Sequence, residues 1–142
     1  MIFVDTSAIY AWTDAADARH TVAAAALAEL LARAEPLVSH NYVFVEALAL
    51  VQHRLGNKAA AALDADFRAL RVEWVDAALH EEAVDGWKRR ASRAISLVDQ
   101  VSFVLMRRLH VDTAFAFDRD FEDEGFALYP PPPLRPGGGS SR

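Results

Sequence analysis

Four carboxylates stand out by where they fall in the sequence: Asp5, Glu46, Asp99 and Asp118. Asp5 closes the apolar run Ile2-Phe3-Val4 and precedes Thr6 and Ser7, so it reads as a strand-end acid that can equally cap the next helix. Glu46 lies inside Val43-Phe44-Val45-Glu46-Ala47-Leu48, and its helical neighbours at three and four positions are Tyr42, Val43, Ala49 and Leu50. A carboxylate on that face sits on an exposed patch or is partly buried, and burial is costly unless a cation or donors meet it. Asp99 follows Ser96 at the spacing of a capping box, which is its alternative use. Asp118 ends the strand pattern Thr113–Phe117, as Asp5 ends its own. Asp112 starts that strand, roughly 20 Å away at about 3.3 Å per residue, and is set aside. Asp120, Glu122, Asp123 and Glu124 read as a solvated acidic turn, with Asp120 kept as an outer helper.

Carboxylates converging without counter-charge repel one another, and divalent cations relieve that repulsion. The sequence has no cysteine and five scattered histidines, so a metal here is held mostly by oxygen, which selects Mg²⁺ or Mn²⁺. Other chemistries lack their motifs: GxGxxG, GxxxxGK[ST] and GxSxG are absent, and the pair His80-Glu81 has no second histidine at metalloprotease spacing. The net charge of −5 argues against a broad basic face for duplex DNA, although acids committed to metal account for most of it.

The elements that must position these acids alternate along the chain. Strand signals at Ile2–Val4, Pro36–Ser39, Val72–Val75 and 112–117 are separated by helical patterns over Ala8–Ala16, Thr21–Ala34, Tyr42–Leu55, Lys58–Leu70, Ala77–Ser92 and Leu97–Leu109. Asn41 is the expected cap of the third helix, and Gly56 stops it. Short apolar strands with little alternation predict a mainly parallel sheet covered on both faces, with ligands at the strand C-terminal ends. The 142 residues make one domain over 1–129, followed by the Pro/Gly/Ser-rich 130–142, expected to be disordered. Neither a secretory signal nor a bilayer-length apolar run is present, which predicts a cytoplasmic protein without membrane contact.

At these residues the sequence resembles the PIN-domain ribonucleases, most closely the VapC toxins of bacterial type II toxin–antitoxin modules. The resemblance spans nearly the whole domain and rests on VDTSAI, the lone Glu in NYVFVEALAL, the segment SLVDQVSFVLMRRL, and AFAFDRDFEDEGF. Each motif is weak alone, and their order and combination are specific. The resemblance implies a three-layer α/β/α fold in which Asp5, Glu46, Asp99 and Asp118 are the catalytic and metal-holding acids, supported by the Thr6 and Ser7 hydroxyls. Asp5 and Asp99 would anchor the main ion, and Glu46 and Asp118 would complete the site. One departure is Ala116, where relatives often carry Thr or Ser.

The implied activity is Mg²⁺- or Mn²⁺-dependent endonucleolytic hydrolysis of RNA, performed as the toxin of a VapBC-type pair. Implied partners are an RNA substrate, a cognate VapB-like antitoxin and a second copy of the chain in a homodimer. The apolar first two helices, Ala8 to Ala34, are where an antitoxin helix would dock. Lys88, Arg89, Arg90 and Arg93 are candidate phosphate contacts, as are Arg107 and Arg108, with a solvated helix end as the alternative for each. Two rival readings remain: a non-catalytic PIN-like module that binds RNA or protein, and an α/β phosphatase. The phosphatase would want a second Asp where Ser7 stands.

Overall fold

Each short apolar run that precedes a capping residue becomes a strand feeding a helix. The structure, a computed structural model, describes residues 1–136. In chain order the elements are β1 (Ile2–Val4), α1 (Thr6–Thr13), α2 (His20–Ala32), β2 (Leu37–His40), α3 (Asn41–Leu55), α4 (Asn57–Phe67), β3 (Arg71–Glu73), α5 (Ala77–Lys88), α6 (Leu97–Arg108), β4 (Thr113–Phe115), α7 (Asp120–Asp123) and β5 (Ala127–Tyr129). The five strands form one sheet in the order β3-β2-β1-β4-β5. Every neighbouring pair is parallel, with Phe3 facing Val38 on one side and Ala114 on the other.

The chain runs outward from β1 to β3 and then returns to place β4 on the other side of β1. Right-handed crossovers therefore put α1–α4 on one face and α5–α7 on the other, giving three layers. The central strands are buried on both faces, while edge strand β3 is not. Beneath α6, the fully buried Phe121 packs edge-on to Phe103 at 5.0 Å and lies 6.1 Å from Phe3. That contact anchors α7 and the acidic turn before it.

Sequence patterns place the strands and larger helices, with shifted ends. Helix α1 begins at Thr6, directly after its cap Asp5, and strand β2 extends one residue further, to His40. The expected cap Asn41 does not cap α3: His40 does, its Nδ1 accepting from Val43 N at 3.2 Å. The Asn41 side-chain Oδ1 instead accepts from Val75 N at 2.7 Å, tying α3 to the chain after β3. Strand β5 and the single-turn α7 lie in a stretch whose acids mask the apolar Phe121 and Phe126. Of the expected tail 130–142, residues 137–142 lie outside the described residues. Before them, Arg119 donates to Pro133 O at 2.6 Å and Arg135 pairs with Asp123 at 2.7 Å.

His40 joins the two helical layers through the sheet edge. Because its Nδ1 accepts a backbone hydrogen bond, the ring proton is on Nε2, which donates to Ser102 Oγ at 2.8 Å. Ser102 Oγ in turn donates to Val98 O at 3.0 Å, inside α6. Burial drives the His40 imidazole down to about 3. The unfolded chain binds a proton near pH 6.5 and the folded chain does not, so His40 makes stability fall as pH falls from that point towards 3. His40→Asn keeps a capping acceptor and removes the titration. Urea unfolding from pH 7 to 5 should show the wild type losing about 2 kcal/mol more than the variant.

Candidate active site

The sheet order places a crevice between the C-terminal ends of β1 and β4, whose connections leave in opposite directions. Asp5 stands at one lip and Asp118 at the other. The ladder continues past the strand ends, with Asp5 N donating to Phe115 O at 3.0 Å. Ser7 then links the two sides: its hydroxyl donates to Asp5 Oδ2 at 2.6 Å and accepts from Phe117 N at 3.0 Å. Ser7 N also donates to Oδ2, at 3.1 Å, so Asp5 serves as the cap of α1 and faces the crevice at once. Asp5 is only 4% exposed. Burial pushes its carboxyl up to about 7, the two Ser7 hydrogen bonds oppose this, and the charges of Asp99 and Asp118 add to it.

Asp99 arrives from the first turn of α6. The capping box forms in full: Asp99 N donates to Ser96 Oγ at 3.0 Å and Ser96 N to Asp99 Oδ2 at 3.1 Å. The cap thus fixes the orientation of the carboxylate. Its pKa is raised by desolvation, against the Ser96 hydrogen bonds, with Asp118 pushing further up and Arg90 pulling down.

Asp118 and Asp120 share a tight turn in which Asp120 N donates to Asp118 Oδ1 at 2.9 Å. One carboxylate oxygen from each of Asp99, Asp118 and Asp120 lies within 4.8 Å of the others, the geometry of a small cation site. Asp120 is therefore a direct member of the cluster, closer to it than its sequence setting indicates. Desolvation comes first, and the charge and hydrogen bond of Asp118 next, in pushing its carboxyl up to about 6. The one cue in sequence is its spacing of two from Asp118, which the run of acids that follows conceals.

Glu46 completes the rim from α3. It is exposed, so its apolar helical neighbours do not bury it as far as their character suggests. Its carboxyl is still raised, by desolvation at the crevice wall and then by Asp99, with Thr6 opposing. Thr6, 8% exposed, has a buried hydroxyl oxygen that approaches this carboxylate yet finds no partner of good geometry. A buried hydroxyl without a partner is rare and marks a place where water or a ligand completes the bonding. The structure thus gathers all four predicted acids around one crevice and adds Asp120.

The candidate cations divide. Arg90 pairs with Glu124 at 2.6 Å, donates through Nε to Gln100 on α6, and lies 5.4 Å over the Phe103 ring. It joins the helix carrying Asp99 to the end of α7, a role no sequence pattern indicates. Arg107 pairs with the same Glu124 at 2.8 Å, and Arg108 pairs with Glu82. These three are committed, whereas Lys88, Arg89 and Arg93 are exposed and enter no ion pair among the described residues.

The model of the PIN domain family matches residues 2–126. The chain belongs to the PIN-domain family. Curated relatives from two strains of Mycobacterium tuberculosis, both named 23S rRNA-specific endonuclease VapC20, are 41% identical over 129 residues, covering 89% of this chain and 95% of theirs. The crystal structure of Mycobacterium tuberculosis VapC20, described as a sarcin-ricin loop cleaving toxin, superposes with a TM-score of 0.80 at 38% identity over 89% of this chain and 97% of that one. This PIN domain is thus a homologue of VapC endoribonuclease toxins, on the expected three-layer fold with a fully parallel sheet.

The residues of this PIN domain fit a divalent ion. The donor set is carboxylate oxygen, burial and then the neighbouring carboxylates raise the carboxyls of Asp5 and Asp120, and the Thr6 hydroxyl is unsatisfied. Adding Mn²⁺ or Mg²⁺ to the purified protein should raise its melting temperature, and Asp118→Asn should abolish that increment without lowering the metal-free value; scanning fluorimetry measures both. Arg90→Ala leaves the buried Gln100 side-chain oxygen without its donor and Glu124 with Arg107 alone, and should cost about 1–3 kcal/mol in urea unfolding.

Proposed function

We propose that this chain is a Mg²⁺- or Mn²⁺-dependent endoribonuclease that cuts ribosomal RNA as the toxin of a VapBC-type module. What supports the reading above all is a crevice of five carboxylates at the sheet's switch point, in a chain 41% identical to a 23S rRNA-specific endonuclease.

Asp5, Asp99, Asp118 and Asp120 would hold the ion, with Glu46 beside them. When bound, a divalent ion supplies a water of lowered pKa and offsets the charge that builds on the phosphate. Ser7 keeps Asp5 in one orientation through its 2.6 Å hydrogen bond, and the Ser96 box does the same for Asp99. The Thr6 hydroxyl approaches the Glu46 carboxylate and favours its charged form at the rim. Ala116 is buried beside Phe115 and contributes no hydroxyl, leaving Thr6 and Ser7 as the hydroxyls at the crevice.

The proposal extends to a VapB-like antitoxin. A cleft of about 270 Å³ lined by Trp12, Leu27, Leu31, Leu37 and Leu70 lies on the α1–α2 side of the protein, with Leu31 59% exposed. It offers an apolar seat for one face of a partner helix. A homodimer follows from the family resemblance, and a cytoplasmic place of action from the ribosomal substrate. Among the described residues no helix is long and apolar enough to cross a membrane.

The test is cleavage of ribosomal RNA and of a short sarcin-ricin-loop RNA with and without Mg²⁺ or Mn²⁺, beside Asp99→Asn purified identically. Metal-dependent cuts at a defined position, reduced roughly 100-fold or more in the variant, are expected. Equal cleavage by both proteins defeats the assignment. Metal binding without cleavage of any RNA favours the non-catalytic binding module.

A further inference from the structure

A broad groove lies beside the acid crevice, between the end of α5 and the start of α6. It encloses about 710 Å³, and its walls include Trp87, Lys88, Arg93, Ile95 and Ser96. We propose that this groove binds an unpaired stretch of RNA next to the cleaved bond, one base stacked on Trp87 and its flanking phosphates held by Lys88 and Arg93. The inference rests on the nuclease reading and adds a requirement to it: the substrate must present unstacked bases.

Trp87 is a prepared platform. Its indole Nε1 donates to Ile95 O at 3.2 Å, which fixes the ring across the loop, and the residue is still 42% exposed. A large aromatic surface held rigid and open to solvent is the arrangement that stacks a nucleobase at little entropic cost. Lys88 and Arg93 line the same groove, and neither has an ion-pair partner among the described residues. Arg90, on the same wall, is already held by Glu124 and Gln100 and so shapes the groove without being free for a phosphate.

Continuity with the acids comes through Ser96. It lines the groove, and its backbone N–H donates to the Asp99 carboxylate at 3.1 Å, so groove and acid cluster share a wall. In a chain of net charge −5, two free cations and an exposed ring at this one place match a polyanion with aromatic bases. An acidic peptide would satisfy the cations, but the adjoining carboxylates repel it, whereas RNA approaches them together with divalent metal. Duplex RNA hides its bases and leaves Trp87 unused.

The test measures binding by fluorescence anisotropy in the Asp118→Asn background, with a labelled hairpin carrying the sarcin-ricin loop and a fully paired duplex of matching composition. Lys88→Ala/Arg93→Ala should weaken hairpin binding at least about 10-fold and reduce the log–log salt slope by about 1.4, or 0.7 for each lost phosphate contact. Trp87→Ala should weaken it roughly 5- to 150-fold, the range for one lost stacked base, while Trp87→Phe restores most of the affinity. The distant exposed control Arg68→Ala should change neither quantity, and the duplex should bind far more weakly than the hairpin.

Wild-type affinity and slope in the Lys88/Arg93 variant, or equal binding of duplex and hairpin, overturns the groove while leaving the nuclease intact. Loss of poly-glutamate binding, and not of RNA binding, in that variant overturns it as well. A wild-type protein that neither binds nor cuts RNA overturns the nuclease reading, and the groove's ligand with it.

Discussion

Mutual repulsion among carboxylates at the open end of a parallel sheet is the constraint around which this molecule is arranged. Desolvation raises the pKa of Asp5, Asp99 and Asp120, and the charge of Asp118 raises each of them further. A flexible chain would relieve the strain by swinging the acids into water. Here each is tied to backbone: Asp5 and Asp99 through helix caps, Asp118 through the Asp120 N–H, and the acidic turn through the buried Phe121. Arg90, the cation that acts on Asp99, only partly offsets the charge because Glu124 occupies its guanidinium. The arrangement is stable as a scaffold and poor as a set of bare anions, which is the electrostatic condition that favours divalent metal.

Rigidity behind the site comes from polar links between layers as much as from apolar packing. The chain from Val43 N through His40 to Ser102 and on to Val98 O crosses from α3 to α6, the helices that carry Glu46 and Asp99. Every polar group in it is paired, so burying it incurs little penalty, and its directionality fixes the relative depth of the two helices. Arg90 does the same between α6 and α7. Both carboxylate-bearing helices are thereby located by hydrogen bonds at positions where apolar contacts alone would permit sliding.

What is legible in the sequence follows from the range of the forces involved. Asp5 and Asp118 can be placed because a strand end is a local pattern, and Asp99 because its capping box is local too. Asp120 reads as a mere helper because membership of the cluster depends on how Phe121 seats the turn, a contact with Phe103 and Phe3 that no short window contains. His40 replaces Asn41 as the α3 cap because the imidazole is held by Ser102, 62 residues away, which frees Asn41 to bind Val75 N. Strand β5 leaves no local signal, since three residues, Ala127–Tyr129, acquire strand geometry only by pairing with β4. Glu46 falls on its helix as the pattern predicts, yet its exposure depends on which neighbours the fold leaves uncovered.

The Ser7 hydroxyl, donor to Asp5 and acceptor from Phe117 N, closes a loop of 110 residues. Chains are made from the N-terminus onward and domains fold as units. Neither the second lip of the crevice nor the hydrogen bond that ties Ser7 to it exists until β4 has been synthesised and docked beside β1. A growing chain therefore carries its acids in separate pieces until nearly the whole domain has emerged.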